Sequence, residues 1–308
     1  MIEVARPGPE EAEAIVELCN ALAQEHYGEP VVDAVEVRRW FGLPNIHLWV
    51  ARAPDARLAA YADVHEEEGR QRYWLDLREH PRLSGVGGAR ALLEATETWA
   101  RGRAAASALF RGVVPSPDEG LRRLYEEAGY RLVRHTLEMR VELDADLPEP
   151  QWPEGMRMRT LVPGEDERAV YEADLEAFED HWEPSREPFD EWRAWAVEHP
   201  RFDPSLWFLA EAGEALVGYC VCGVHASGDP SFGFVYSLGV RRPWRRRGLG
   251  LALLRHALRE FRGRGMRRAA LDVDAENLTG AVRLYERAGM HIAKRRDIYE
   301  TSLAPPDG

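Results

Sequence analysis

Apolar residues fall at two spacings along this chain, and the places where one gives way to the other outline its elements. Leu251, Leu254, Leu258 and Phe261 recur at the interval of an amphipathic helix. Immediately upstream, Phe234-Val235-Tyr236-Ser237-Leu238-Gly239-Val240 has the composition of a strand. The apolar run 216–224 places alternate residues on one face of another strand, so Cys220 and Cys222 are expected in the core rather than on a metal. After both Pro7-Gly8 and Pro163-Gly164, acidic residues open amphipathic helical patterns.

That last pairing belongs to a repeat. His26-Tyr27 is matched by His181-Trp182, Trp40 by Trp195, and Leu48-Trp49 and Tyr61 by Leu206-Trp207 and Tyr219. Leu124-Tyr125-Glu126-Glu127-Ala128-Gly129 returns as Leu284-Tyr285-Glu286-Arg287-Ala288-Gly289, at an offset that drifts by only a few positions along the chain. A duplication explains that constancy, and chance matches do not. Between the copies, Asp144-Ala145-Asp146-Leu147-Pro148-Glu149-Pro150-Gln151-Trp152-Pro153 is acidic and proline-rich, which resists both helix and central strand. The expected domains are therefore 1–145 and 156–308, joined by a linker at 146–155. Each copy reads strand, helices, several strands, a glycine-rich turn, a helix, a strand, a second helix and a final strand, which predicts a layered α/β (α+β mixed) domain.

Composition narrows the partners. A chain of 308 residues with 45% hydrophobic content can bury a core in each half. Its net charge of -13 disfavours nucleic acid and anionic membrane, so any anion must meet a locally basic place. Three cysteines, Cys19, Cys220 and Cys222, make no disulfide framework. No secretory signal pattern and no apolar stretch of about 20 residues occurs. The expectation is a cytoplasmic protein, monomer or homodimer, with reduced thiols and no metal.

The locally basic place is the join between strand and helix. Five of the seven residues 241–247 are arginines, and Gly248-Leu249-Gly250 leads straight into the helix. Free N–H groups at a helix N-terminus converge on one point, the helix dipole adds positive potential, and glycine admits a ligand close to the backbone. Pyrophosphate suits such a turn. A dinucleotide fingerprint needs a further glycine and a Walker A pattern is absent, so neither of those nucleotide folds is indicated.

Arg245-Arg246-Arg247-Gly248-Leu249-Gly250 resembles the acetyl-CoA signature of the GNAT-type N-acetyltransferases. A second block agrees, since Asn277 followed by Leu284-Tyr285-Glu286 and Gly289-Met290 is similar to that superfamily's distal motif. The duplicated layout also resembles its tandem, mycothiol synthase-like branch over essentially the whole chain. The resemblance implies two tandem GNAT-type domains, each a central mixed sheet flanked by helices, with acetyl-CoA as co-substrate and a small-molecule or peptide amine as acceptor. It implies that backbone at Leu238, Gly239 and Val240 meets the pantetheine arm, that Arg245, Arg246, Arg247, Gly248, Leu249, Gly250 and Leu251 surround the diphosphate, that Asn277 contacts the cofactor, and that Tyr285 protonates the departing thiolate. Where the mycothiol synthase-like proteins carry a glutamate on the fourth strand, this chain has Phe234. His181, Trp182, Tyr236 and Asp274 are then the candidate acceptor-side residues, with His181, Tyr236, Asp274 or a water chain left open as proton acceptor. A catalytically silent CoA-binding or regulatory protein is the alternative expectation. In the first half, Ser84-Gly85-Val86-Gly87-Gly88-Ala89 aligns over 245–250 without its arginines, and a rival register starts at Arg82. Tyr125 persists, while Ser116-Pro117-Asp118 replaces the Asn277 region. The first half is expected to bind acetyl-CoA weakly or not at all.

Overall fold

The computed structural model describes residues 2–67, 71–105, 107–143, 146–182, 187–277 and 280–303. Asp144 and Ala145, the start of the expected linker segment, lie outside that range. The first repeat runs β1 (Glu3–Ala5), α1 (Ala12–Tyr27), α2 (Ala34–Trp40), β2 (Ile46–Arg52), β3 (Leu58–Glu66), β4 (Arg72–Glu79), α3 (Gly88–Arg101), β5 (Leu109–Pro115), α4 (Glu119–Glu127) and β6 (Arg131–Glu142). The second repeats the order with β7 (Met156–Thr160), α5 (Glu167–Phe178), α6 (Phe189–Ala196), β8 (Trp207–Ala212), β9 (Ala215–Val224), β10 (Phe232–Val240), α7 (Leu249–Gly263), β11 (Arg268–Asp274), α8 (Ala281–Arg287) and β12 (His291–Ser302). The fold is mixed α/β, as the alternating patterns require.

Two compact units form, and their membership departs from the repeat boundary at the last strand of each repeat and at residues 226–228. Unit 1 holds residues 1–136 with 226–228 and 294–308, and unit 2 holds 137–225 with 229–293. In unit 1 the strand order is β1-β2-β3-β4-β5-β12. Pairing is antiparallel except between β4 and β5, and β12 lies antiparallel on β5 from Arg296↔Pro115 to Ser302↔Leu109. In unit 2 the order is β7-β8-β9-β10-β11-β6, with β10 parallel to β11 and the pairs from β7 to β10 antiparallel. The last strand of each repeat thus completes the sheet of the other unit. The reason is apolar burial: Leu137, Met139 and Val141 of β6 join the unit 2 core, while Tyr299 of β12 joins the unit 1 core.

Each sheet is coated on both faces, and in unit 2 this fixes what can reach the site. On one face α7 supplies Leu251, Leu254, Leu258 and Phe261, the helical stripe read from the sequence, together with Leu253 and Ala257, and Leu284 and Tyr285 of α8 pack at the edge. Cys220 and Cys222 point into this face with their sulfurs 3.4 Å apart and both thiols free. On the opposite face Val170, Ala173 and Ala177 of α5 and Trp192 of α6 cover Trp207, Leu209, Tyr219 and Val221. Helix α5 is anchored at its start by Asp166, whose carboxylate accepts from Arg159 and from the Val162 N–H at 2.7 Å.

The exchange of terminal strands yields a test. Tyr299 is 2% exposed and its hydroxyl donates to Glu126 at 3.0 Å. Tyr299→Ala, a change in the second repeat, is expected to destabilise unit 1 by about 3–5 kcal/mol. Amide hydrogen exchange should accelerate in β5 and stay slow across β10 and β11.

Candidate active site

The site begins where two parallel strands part. β10 pairs with β11 only from Phe232↔Arg268 to Val235↔Leu271. β10 then continues to Val240 on β9, leaving one edge of Ser237–Val240 without a strand partner among the described residues. The ladder with β9 shifts register between Val235 and Ser237, so Tyr236 is a bulged residue. Its ring is 51% exposed and its hydroxyl donates to the Val224 carbonyl at 2.6 Å. The bulge resets the alternation of faces. Leu238 and Val240 pack toward the α7 core, while the Ser237 hydroxyl bonds Asp174 of α5 at 2.6 Å. Gly239 lies under Tyr219, where any Cβ would sit 2.3 Å from the phenolic oxygen. An exposed strand edge at a bulge accepts an extended, amide-bearing ligand as an added strand.

The same strand leads into the arginine turn. A 3-10 turn at Arg242–Trp244 is followed by left-handed backbone at Arg246 (φ 61°) and Gly248 (φ 88°), and α7 starts at Leu249. Gly248 caps the helix without any side-chain bond, and the first helical bond runs from the Ala252 N–H to the Gly248 carbonyl at 3.0 Å. The N–H groups of Leu249, Gly250 and Leu251 therefore face outward at the positive end of a helix dipole. The Leu249 and Leu251 side chains are buried in the core, so only their backbone is offered to a ligand.

The arginines divide into two sets. Arg245 donates to the Val240 carbonyl at 3.0 Å and the Ala177 carbonyl at 2.8 Å, and pairs with Asp180 at 3.2 Å. Arg242 pairs with Glu179 and Asp180, and Arg241 with Glu176 at 3.4 Å. These three clamp the turn to the end of α5. Arg246 and Arg247 are exposed, the latter lying 4.8 Å over the Trp244 ring.

Three further candidates, Asn277, His181 and Asp274, lie together beyond the ends of α5 and β11. Asn277, in the turn after β11, places its amide nitrogen 3.4 Å from His181 Nε2 beyond the end of α5. Burial lowers the His181 pKa, with Asp274 opposing and Arg245 reinforcing that shift, so the ring is neutral at pH 7. Asp274 caps the Glu276 N–H at 2.9 Å. Trp182 follows His181 and is half-buried. Tyr285, on the opposite, α8 face, has its phenol pushed up to about 12 by burial, with nearby Cys220 adding to the rise. Among the described residues, no group of three or more His, Cys, Asp or Glu could hold a metal ion.

Unit 1 repeats the left-handed turn, with a carboxylate of its own on the amides. Gly85 (φ 87°) and Gly87 (φ 90°) reproduce the left-handed pair Arg246 and Gly248, which fixes the register of Ser84–Ala89 over Arg245–Gly250. Strand β4 has eight residues to the nine of β10, its ladder with β3 runs unbroken, and its parallel pairing reaches one step further, to Asp76↔Val113. The Glu79 carboxylate occupies the amide turn, accepting from Ala89 at 3.2 Å and from the Gly85 and Gly88 N–H groups. Tyr125, the counterpart of Tyr285, is fully buried against Gly112, where a Cβ would fall 2.2 Å from its ring. Sequence reasoning missed Glu79, Asp174 and Ser237. The one-residue length difference between β4 and β10 was the signal available for the bulge.

With this geometry in hand, comparison with known proteins is direct. Residues 12–130 and 168–290 each match the Acetyltransferase (GNAT) family. The chain is 32% identical over 295 residues to a mycothiol acetyltransferase of Thermobispora bispora, covering 92% of this chain and 94% of the relative. It is 35% identical over 295 residues to that of Geodermatophilus obscurus, covering 93% of each. A crystal structure of a GCN5-related N-acetyltransferase from Sphaerobacter thermophilus aligns with a TM-score of 0.82 and 38% identity over 99% of this chain and 96% of that one. A tandem GNAT protein from the clavulanic acid biosynthesis pathway shares the fold, with a TM-score of 0.79 at 19% identity over the full length of both chains. This chain belongs to the GNAT acetyltransferase family, with two copies in tandem. It is an N-acyltransferase that draws its acyl group from acetyl-CoA.

The clamp predicts a separable defect. Arg245→Ala removes bonds to two carbonyls and one carboxylate, and is expected to lower stability by about 1–3 kcal/mol in chemical denaturation. Arg246→Ala, on the exposed side chain, should leave the denaturation midpoint unchanged.

Proposed function

We propose that the chain acetylates a primary amine of a small molecule or peptide by direct attack in a ternary complex, at one site built by unit 2. The observation that carries this reading is the bare edge of Ser237–Val240 running into the open amide turn at 249–251. Pantetheine would pair along Leu238, Gly239 and Val240, and the diphosphate would rest on the amides of Gly248 to Leu251, with Arg246 and Arg247 supplying charge. Arg245 contributes by holding the turn. Asn277 would contact the cofactor beside His181.

The thioester carbon then lies at the strand opening, where edge N–H groups can bind the developing oxyanion. A phenol whose pKa is pushed up to about 12 keeps its proton at neutral pH, so Tyr285 can give it to the departing sulfur. His181, Trp182, Tyr236 and Asp274 lie toward the acceptor side. The acceptor of the mycothiol acetyltransferases heads the amines to test, because the relatives cover nearly the whole chain. Unit 1 serves as a degenerate copy, since Glu79 and Tyr125 fill the places the cofactor would need.

Thiol release measured across an amine panel tests the reading, and tight acetyl-CoA binding without turnover on any amine would favour a silent binding protein instead. Tyr285→Phe is expected to lower kcat by about 100-fold with unchanged acetyl-CoA affinity. Calorimetric titration of the whole chain should give one acetyl-CoA per chain, and two equivalent sites would refute the degenerate role of unit 1.

A further inference from the structure

Besides the acceptor-side residues read from the sequence, one carboxylate lies behind the bulge. Asp174 Oδ1 accepts from the hydroxyls of Tyr219 on β9 and Ser237 on β10, both at 2.6 Å. The two hydroxyl oxygens are 3.2 Å apart, and with both protons directed at Oδ1 they face one another as acceptors. Asp174 Oδ2 has no partner among the described residues and keeps contact with solvent.

Among the described residues no cation pairs with this carboxylate. The groups that face it are the Tyr219 phenol, the Ser237 hydroxyl and the His181 ring, and His181 in turn has Asp274, Arg245 and Asp180 around it. An uncompensated buried carboxylate is costly to a fold. Burial accordingly raises its pKa above the usual aspartate range. In unit 1 the same place is arranged differently, with Cys19 on α1 and Asp76 on β4. There Asp76 is neutralised by two bonds from Arg78, at 3.0 and 2.5 Å. Asp174 has no such arginine, whereas in unit 1 the neighbouring Asp63 carboxyl is pushed up to about 7 by burial and by Asp76.

We propose that Asp174 is the proton acceptor of the transfer reaction, receiving on Oδ2 the proton that the attacking amine gives up. The inference rests on the acetyl-transfer reading above. The nitrogen lone pair forms the C–N bond to the thioester carbon as the carbonyl electrons move to oxygen. Their return breaks the C–S bond. The N–H proton passes to Asp174, the thiolate takes the Tyr285 proton, and solvent restores both groups. Asp174 stands on the α5 face and Tyr285 on the α8 face, so base and acid flank the opening between β10 and β11 from opposite sides.

Asp174→Asn keeps an oxygen for both hydroxyls and cannot take a proton. With an amine that the wild type acetylates, its kcat should fall by about 100-fold or more while KM for acetyl-CoA holds, and the acid limb of kcat/KM against pH should vanish. Ser237→Ala removes a donor to the charged form, so its acid limb should move to higher pH. Thermal melting gives an independent reading. Because the folded pKa lies above the unfolded one, protonation stabilises the fold fully below about pH 3.9, and this contribution is lost as pH rises through the folded pKa. Asp174→Asn should therefore melt above the wild type at pH 8 and lose that advantage toward pH 4. An unchanged kcat in Asp174→Asn beside an active wild type overturns this proposal alone, as does a variant that melts below the wild type at pH 8. A wild type that releases CoA with no amine overturns the acetyl-transfer reading and this proposal with it.

Discussion

A parallel strand pair that stops pairing halfway is the constraint on which the rest of this structure depends. Buried backbone groups normally find partners, so a bare edge inside a sheet persists only where another element or a ligand satisfies it. In unit 2 the bulge at Tyr236 ends the regular ladder, and β10 and β11 diverge from Leu271 onward. Everything that bears on chemistry is arranged around that gap. The edge amides run along it, the arginine turn closes one end, and residues from both faces of the sheet approach it.

The proposed diphosphate turn would hold an anion through backbone in an acidic protein. Net charge of -13 works against phosphate at long range, and three of the five arginines at 241–247 are held by carboxylates of α5 or by carbonyls. Their role in the geometry is to pull the turn into shape. The field at the turn comes from unpaired amides and the helix dipole, which need no net positive charge. Left-handed backbone at Arg246 and Gly248 aims those amides outward. Glycine takes that conformation freely, and Arg246 is held in it by the clamp around Arg245.

Comparison of the two units separates what a fold needs from what a site needs. Both keep the strand order, the glycine turn and the tyrosine of the second helix. Unit 1 places Glu79 on its own turn amides and pairs Asp76 with Arg78. Unit 2 leaves its turn amides and the Asp174 carboxylate without such answers. Unsatisfied groups of this kind lower stability and persist where function uses them.

The sequence by itself determined the duplication, the order of elements, the α7 stripe, the core placement of Cys220 and Cys222, and the turn at Gly248. These follow from local periodicity and from glycine's freedom at positive φ, both of which are written in neighbouring residues. The register of the first-half turn needed the backbone angles of Gly85 and Gly87 to settle it. Tertiary structure alone decided that β6 and β12 complete each other's sheets, because burial of Leu137, Met139 and Tyr299 selects partners far away in the chain. It also decided that Glu79 fills one turn, that Arg245 clamps the other, and that Asp174 meets Ser237 across 63 positions. Each of those contacts depends on how helices lie on a sheet, and no spacing along the chain encodes that distance.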